Sequence, residues 1–319
     1  MNIMRRRDFA LVAGIAALSA CTGNRKRKIG VIPKGSAHIF WQSVHAGAIK
    51  ASRESNVEIV WNGPPQETDF NMQIQIVDSM ITRGVDAIVL APIDKKSMVG
   101  VVERAVAAKI PVVIFDSGID TDKFVSQVAT DNYHAGEMGA DRVAKILDGQ
   151  GKIAMVMVQP GAASTMAREQ GFKDRVAKVH LGLKIVDERY GWADFSKSLA
   201  VSENILTAHP EVQALFASNE SSTVGAAQAL KGRKSKVKLV GFDSSPQLIE
   251  DMKAGVIDSL VIQDPFRMGY EATKAAIDQL EGRPVVKINN LAPRLVELGN
   301  LATPEVQEQL NPDLKKYLD

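Results

Sequence analysis

From residue 28 onward, short apolar runs alternate with longer stretches in which apolar residues recur at helical spacing. The runs fall at 29–32, 57–61, 87–90, 112–115, 124–129, 153–158, 183–190, 214–217, 239–242 and 259–262. Most are continuous in Val, Ile, Leu and Ala and do not alternate with polar residues, which predicts strands covered on both faces. The helical period occupies 41–55, 71–83, 99–108, 133–147, 165–179, 197–208, 223–230 and 268–280. Strand and helix in succession predict an α/β chain of parallel sheets wrapped by helices. Ten strands exceed one ordinary doubly wound unit, which predicts two.

A near-repeat supports the division. Residues 109–118 read KIPVVIFDSG and residues 237–246 read VKLVGFDSSP, each a strand that ends in Phe-Asp-Ser before a helix breaker. One such unit is expected in each half, related by approximate two-fold symmetry. In parallel α/β sheets ligands sit outside the carboxyl ends of the strands. The residues just past the runs there are Lys34, Asp94, Asp116, Thr130, Asp131, Asn132, Gln159, Trp192, Asn219, Glu220, Asp243, Gln263 and Asp264. Any one of these has an ordinary explanation, since loops are polar and Asp and Asn cap helices. The set, with Arg168 and the aromatics Phe40, Trp41, Trp192 and Phe195, is a mixture that suits a polyhydroxylated ligand. Carboxylates and amides bind hydroxyls, a guanidinium donates to oxygens, and aromatic faces stack on sugar C–H faces. Micromolar affinity requires about 8 kcal/mol, which eight to ten hydrogen bonds of ~1 kcal/mol supply before ordering costs.

The amino terminus changes the picture of location. Arg5-Arg6-Arg7 precedes a short apolar core at 11–18 that ends in Leu18-Ser19-Ala20-Cys21, so 1–20 reads as an export signal. The core is too short to span a bilayer. Cys21 is the sole cysteine and follows a small-residue cleavage site, as in the lipobox of bacterial lipoproteins, so it is expected to carry the lipid anchor. Residues 6–9, Arg-Arg-Asp-Phe, also suit a twin-arginine signal, and Sec and twin-arginine export both stay open. Cleavage removes three Arg and one Asp from 39 basic and 37 acidic residues and leaves 36 of each. Such balance calls for no nucleic acid or other polyanion. The basic stretch 21–27 reads as a lipidated tether.

Several motifs converge on one family. Phe40-Trp41-Gln42-Ser43, Leu90-Ala91-Pro92-Ile93-Asp94, Ala129-Thr130-Asp131-Asn132, Met166-Ala167-Arg168-Glu169-Gln170-Gly171-Phe172, Phe216-Ala217-Ser218-Asn219 and Val240-Gly241-Phe242-Asp243 together resemble periplasmic binding proteins of the ribose and galactose type, over essentially the whole chain past the signal. The resemblance implies two doubly wound parallel-sheet lobes joined by a three-stranded hinge that passes through Thr130, Asp131 and Asn132, Asp264, and again near 291–294. It divides the chain into 28–130 plus 264–292 for the amino-terminal lobe and 131–263 plus 293–319 for the carboxy-terminal lobe. It implies Phe40 and Trp41 on one side of the sugar, Trp192 or Phe195 on the other, and Asp116, Arg168, Asn219, Asp243 and Gln263 on its hydroxyls. The chain departs from the ribose pattern at Lys34, His38, Ala91 and Ser117. Lys34 and His38 are therefore expected to contact a sugar or polyol of different shape. The implied partners are that solute, an ABC importer permease and, through Cys21, a membrane; a monomer without cofactor is expected.

Other functions are weaker on the same residues. Asp116 and Asp243 across a cleft could form the acid–base pair of a glycosidase, but both occupy equivalent positions in the repeat, which favours binding. The five histidines, at 38, 45, 134, 180 and 209, lie at no metal-ligand spacing. Residues 149–154 match a dinucleotide fingerprint only formally, because they precede a strand. A repressor with this clamp as effector domain needs a DNA-binding helix pair, for which the amino terminus has no room. A sensory accessory protein that presents a bound ligand to a receptor stays open beside transport.

Overall fold

The computed structural model describes residues 25–318, so the signal segment and Cys21 lie outside the described residues. The first sheet takes β1 (Lys28–Ile32), β2 (Glu58–Trp61), β3 (Ala87–Leu90), β4 (Val112–Phe115) and β5 (Ser126–Thr130). Between the first four run α1 (Ile39–Ser55), α2 (Phe70–Thr82) and α3 (Val99–Ala107). The chain then leaves for a second unit: α4 (Asn132–Ile146), β6 (Gly151–Met157), α5 (Ala163–Lys178), β7 (Leu183–Tyr190), α6 (Phe195–Ala208), β8 (Ala214–Ala217), α7 (Glu220–Arg233), β9 (Lys238–Phe242), α8 (Pro246–Lys253) and β10 (Ser259–Ile262). It returns through α9 (Pro265–Leu280) and β11 (Ile288–Leu291), crosses again to β12 (Arg294–Glu297), and ends in α10 (Pro304–Leu310) and α11 (Lys315–Leu318).

The two sheets have the same order, β11-β5-β4-β3-β1-β2 and β12-β10-β9-β8-β6-β7. The first is parallel throughout, and in the second only β12 runs antiparallel, against β10. Each strand serves two cores because successive side chains face opposite ways. Val113 and Phe115 pack with α1 and α9, whereas Val112 and Ile114 pack with α2 and α3. The second sheet divides its side chains similarly between the two apolar clusters on its faces.

The halves share a further device that periodicity does not reveal. Helices α1 and α9 cross at Gly47 and Gly269, where a Cβ would run into the carbonyls of Phe266 and Val44. Helices α4 and α5 cross at Gly136 and Gly171, against the carbonyls of Arg168 and Tyr133. Each pair thus packs backbone to backbone at the root of the interlobe crossings.

Two features differ from the expectations. The edge strands β11 and β12 were absent from the apolar runs because INNL and RLVE are polar and half exposed. The carboxy-terminal stretch does not stay on the second lobe: Leu301 and Val306 pack there, but α11 lies on the first. Arg53 of α1 donates to the carbonyls of Lys316 and Tyr317 at 2.6 and 3.2 Å, and the Tyr317 ring meets Phe266. The tail is a strap across both lobes.

Candidate ligand-binding site

The carboxyl ends of both sheets face one another across a cleft. Where β4 and β9 end, Asp116 and Asp243 both adopt left-handed backbone conformations, with φ of 59° and 67°. Asp tolerates that region better than most residues. Their amides donate to Val128 and Val261 of the adjacent strands at 2.9 and 3.0 Å, so the same turn is built twice. It aims one carboxylate from each lobe into a cavity of about 30 Å³, room for roughly two waters.

That cavity is lined by Lys34, His38, Phe40, Trp41, Glu67, Asp116, Ser164, Thr165, Arg168, Asn219, Glu220, Asp243 and Gln263. Sequence reasoning singled out nine of these as ligand contacts; Glu67, Ser164, Thr165 and Glu220 join them. Phe195 of α6 reaches the edge of the site, its ring T-shaped to His38 at 5.1 Å. Trp192 does not. It is 44 % exposed and tilts against Tyr190, because Trp192 and Ala193 are successive left-handed residues that turn the loop outward.

The hinge candidates take separate roles. Asp131 and Asp264 cap α4 and α9, accepting from the amides of His134 and Arg267. Thr130 donates to Gln263 Oε1 at 2.7 Å and so ties two crossings together. Asn132 accepts from Arg168 Nε at 2.7 Å. Arg168 also donates to the Ser218 carbonyl at 2.9 Å and lies over the Phe242 ring, 3.9 Å from its centroid. Burial lowers the affinity of this guanidinium for its proton, against the pull of Asp243, Asp116, Glu169 and Glu67. Asn219 accepts from the Ser222 amide at 2.9 Å as the cap of α7, which leaves its Nδ2 donors for the cavity.

Charge is densest around His38 and Glu67. His38 Nδ1 lies 2.7 Å from Glu67 Oε1, which also accepts from Trp41 Nε1 at 2.7 Å. Burial works against a charged His38, but Glu67, helped by Glu220 and Asp243, outweighs it and raises the imidazole to about 9. Burial likewise opposes ionised Glu67, yet His38, Lys34 and Trp41 hold it at about 2. His38 therefore stands protonated with Nε2 buried and without a hydrogen-bond partner among protein groups. Opposite in character is Asp116 Oδ2. Lys34 Nζ sits 2.6 Å away in an ion pair whose side chains are both buried.

Several contacts close the lobes on each other. Lys34 Nζ donates to Ser164 Oγ at 3.0 Å, the Ser164 amide donates to Ser117 Oγ at 3.0 Å, and Gln159 Nε2 donates to the Glu67 carbonyl at 2.7 Å. Glu220 accepts long bonds of 3.4 Å from the Ile39 and Phe40 amides at the start of α1. Burial raises Glu220 to about 7, with His38 opposing the rise and Asp243 adding to it. Ser117, one of the departures from the ribose pattern, thus accepts a bond that fastens one lobe to the other. Among the described residues no group of His, Cys, Asp and Glu could hold a metal ion.

Twin sheets joined by three crossings, with polar and aromatic groups from both enclosed between them, define a two-lobed binding protein that clamps a small solute. The chain belongs to the periplasmic binding protein family, whose domain matches residues 29–284. It is 31 % identical to the ribose import binding protein RbsB of Bacillus subtilis over 267 residues, 83 % of this chain and 86 % of that protein. Among solved structures, a carbohydrate transporter solute-binding protein from Agrobacterium radiobacter in complex with D-arabinose superposes with a TM-score of 0.88 at 33 % identity, covering 90 % of this chain and 99 % of that one. An ABC transporter solute-binding protein from Agrobacterium vitis with bound D-fucose gives 0.87 at 31 %, covering 89 % and 100 %.

Proposed function

We propose that the protein is an exported, lipid-anchored solute receptor that binds a monosaccharide or related polyol between its lobes and delivers it to an ABC importer. The observation that carries this reading is His38 Nε2, a buried donor without a protein partner, in one cavity with the Asp116 and Asp243 carboxylates, which are acceptors. An unpaired buried polar group costs about 1–3 kcal/mol, and vicinal hydroxyls, each donor and acceptor, satisfy both kinds at once. Arg168, Asn219 and Gln263 extend the set, with Phe40 and Trp41 for the ring face. The ribose, arabinose and fucose named for the relatives support the sugar class. No reaction chemistry is required: Asp116 and Asp243 act as hydrogen-bond acceptors. Ligand contacts from both lobes favour closure about crossings at 130–132, 263–264 and 291–294, and the permease reads the closed form.

A thermal-shift screen against pentoses, hexoses, polyols, inositols and sugar acids, confirmed by calorimetry, tests the reading. A ligand well above its Kd stabilises by a few kcal/mol, so one stereochemical group is expected to raise the midpoint by several degrees. A flat panel removes the sugar. Anchoring is tested separately: Cys21→Ser is expected to move the protein from the membrane fraction to the soluble one.

A further inference from the structure

One carboxylate crosses the cleft. Glu220 begins α7 in the second lobe, and its side chain reaches the first turn of α1 in the first, where it accepts from the Ile39 and Phe40 amides at 3.4 Å each. The residue at the N-cap of α1 is His38, whose own side chain makes no capping bond. A group of the opposite lobe therefore stands at the free amides that a helix start leaves. Its two ends belong to different lobes, so this contact lasts only while the lobes are together. On the reading of the cleft as a clamp that closes on a sugar, we infer that closure takes up a proton from solvent at the Glu220 carboxylate, so that the protein binds its solute more tightly as pH falls.

The charged groups around Glu220 leave its charge poorly answered. From the first lobe, Lys34 pairs with Asp116 at 2.6 Å and His38 with Glu67 at 2.7 Å, each pair within that lobe. From the second, Arg168 donates to Asn132 and to the Ser218 carbonyl. Asp243 is pinned beside Glu220 by the Glu220 amide at 2.9 Å, which sets a second carboxylate next to the first. Glu220 is 5 % exposed in this arrangement, and a buried carboxylate favours its protonated form. Burial raises Glu220 to about 7, with Asp243 adding to the rise while His38 and the two amides oppose it. Opening parts Glu220 from α1 and returns it to water, where a carboxylate titrates at its ordinary value. The closed form therefore binds the extra proton between about 4.5 and about 7, and closure strengthens as pH falls through that window. The other perturbed groups keep their partners when the lobes part. His38 retains Glu67, which belongs to its own lobe, and Asp243 retains Gln263 and the Glu220 amide. Glu169, also raised to about 7 by burial, accepts from the Val158 amide and the Ser218 hydroxyl of its own lobe.

The test is titration calorimetry of the protein with ribose, D-arabinose and D-fucose at about pH 7.5 and about pH 5.5, in buffers of different ionisation enthalpy, beside small-angle scattering of the ligand-free protein over the same range. For a sugar that binds, affinity is expected to rise by up to about 20-fold between the two conditions, the value for one carboxylate that moves from about 4.5 to about 7, with proton uptake on binding. Glu220→Gln is expected to bind without proton uptake and with an affinity that does not change with pH. The folded Glu169→Gln variant is expected to keep the wild-type dependence. A wild-type rise below about threefold, a rise that survives Glu220→Gln, or one that disappears in Glu169→Gln overturns the inference while sugar binding stands. If none of the sugars binds, that reading of the solute fails and scattering decides the proton by itself. The ligand-free wild type is then expected to contract as pH falls, and Glu220→Gln to hold one radius of gyration; a flat wild-type curve overturns the inference.

Discussion

Asp116→Asn isolates the charge at the centre of the site. Asn tolerates the left-handed backbone that Asp116 holds at φ 59°, so the turn after β4 is retained. What is lost is the counter-ion of Lys34, whose Nζ lies 2.6 Å from Oδ2 with side chains only 4 % and 5 % exposed. Stranding one member of a buried pair costs roughly 3–5 kcal/mol. Here the amide oxygen still accepts and Ser164 Oγ stays 3.0 Å from the ammonium, which places the cost near the lower end. At roughly 2–4 °C per kcal/mol for a chain of this order, the thermal midpoint should fall by about 6–12 °C. The double variant Lys34→Met/Asp116→Asn removes the stranded charge and should recover most of that loss. Ligand affinity should fall in the Asn variant by ~1.5–3 kcal/mol, or about 10- to 150-fold, through the lost charge-assisted hydrogen bond, and should not recover in the double variant. Differential scanning calorimetry and titration calorimetry read the two effects apart. A midpoint and an affinity both unchanged in Asp116→Asn would refute the argument, and an affinity restored by Lys34→Met would show that Asp116 holds Lys34 and not the ligand.

Three other outcomes follow from the same geometry. Protonated His38 gains stability from Glu67 that is complete below its ordinary value of 6.5 and lost as pH rises to about 9, so His38→Gln should flatten the midpoint-versus-pH curve in that window. Glu220 is raised to about 7, so it binds its proton more tightly folded than unfolded; stability falls as pH climbs from about 4.5 to about 7, and Glu220→Gln should remove that slope in the same measurement. Gly47→Ala forces a methyl into the Phe266 carbonyl at the α1–α9 crossing and should cost about 1–3 kcal/mol in chemical denaturation, with Gly136→Ala matching it at the α4–α5 crossing; a neutral result in both would mean that the crossings yield easily.

The two-sheet plan was legible because each central strand is buried on both faces and therefore reads as an uninterrupted apolar run; VVIF and ALFA are examples. The edge strands β2 and β7 still carry enough apolar residues to be read, whereas INNL and RLVE of β11 and β12 do not, which is why those two escaped periodicity. Asp116 and Asp243 stood out through their shared Phe-Asp-Ser context. Glu67 did not, since it arrives six residues after β2 in a loop with no strand-end signal. Glu220 was visible as a polar residue beside Asn219, but its reach across the cleft to α1 depends on lobe closure, which no local pattern encodes. Trp192 and Phe195 show the same limit. Both are aromatics after β7, and only the paired left-handed residues at 192–193 decide that Phe195 turns inward and Trp192 outward.

The repeated turn is used for two different purposes, and its neighbours decide which. In the first lobe Asp116 is paired with the Lys34 ammonium 2.6 Å from its Oδ2, so its charge is answered by a residue of its own lobe. In the second lobe Asp243 is bound by Gln263, which in turn accepts from Thr130, so a chain of hydrogen bonds joins the cavity wall to two of the three crossings. The Glu220 amide completes Asp243, and the Glu220 side chain reaches α1 of the opposite lobe. A shift of Asp243 toward a ligand would therefore be felt at the hinge and at the closing contact together, because low-dielectric networks of this kind have few independent parts. Gln263→Ala is the substitution that separates the roles. It leaves both carboxylates in place but cuts the connection to Thr130, and should loosen the coupling between binding and closure, read as a smaller ligand-induced change in radius of gyration by small-angle scattering, by more than it weakens affinity. Equal loss in both would mean that Gln263 serves the ligand alone.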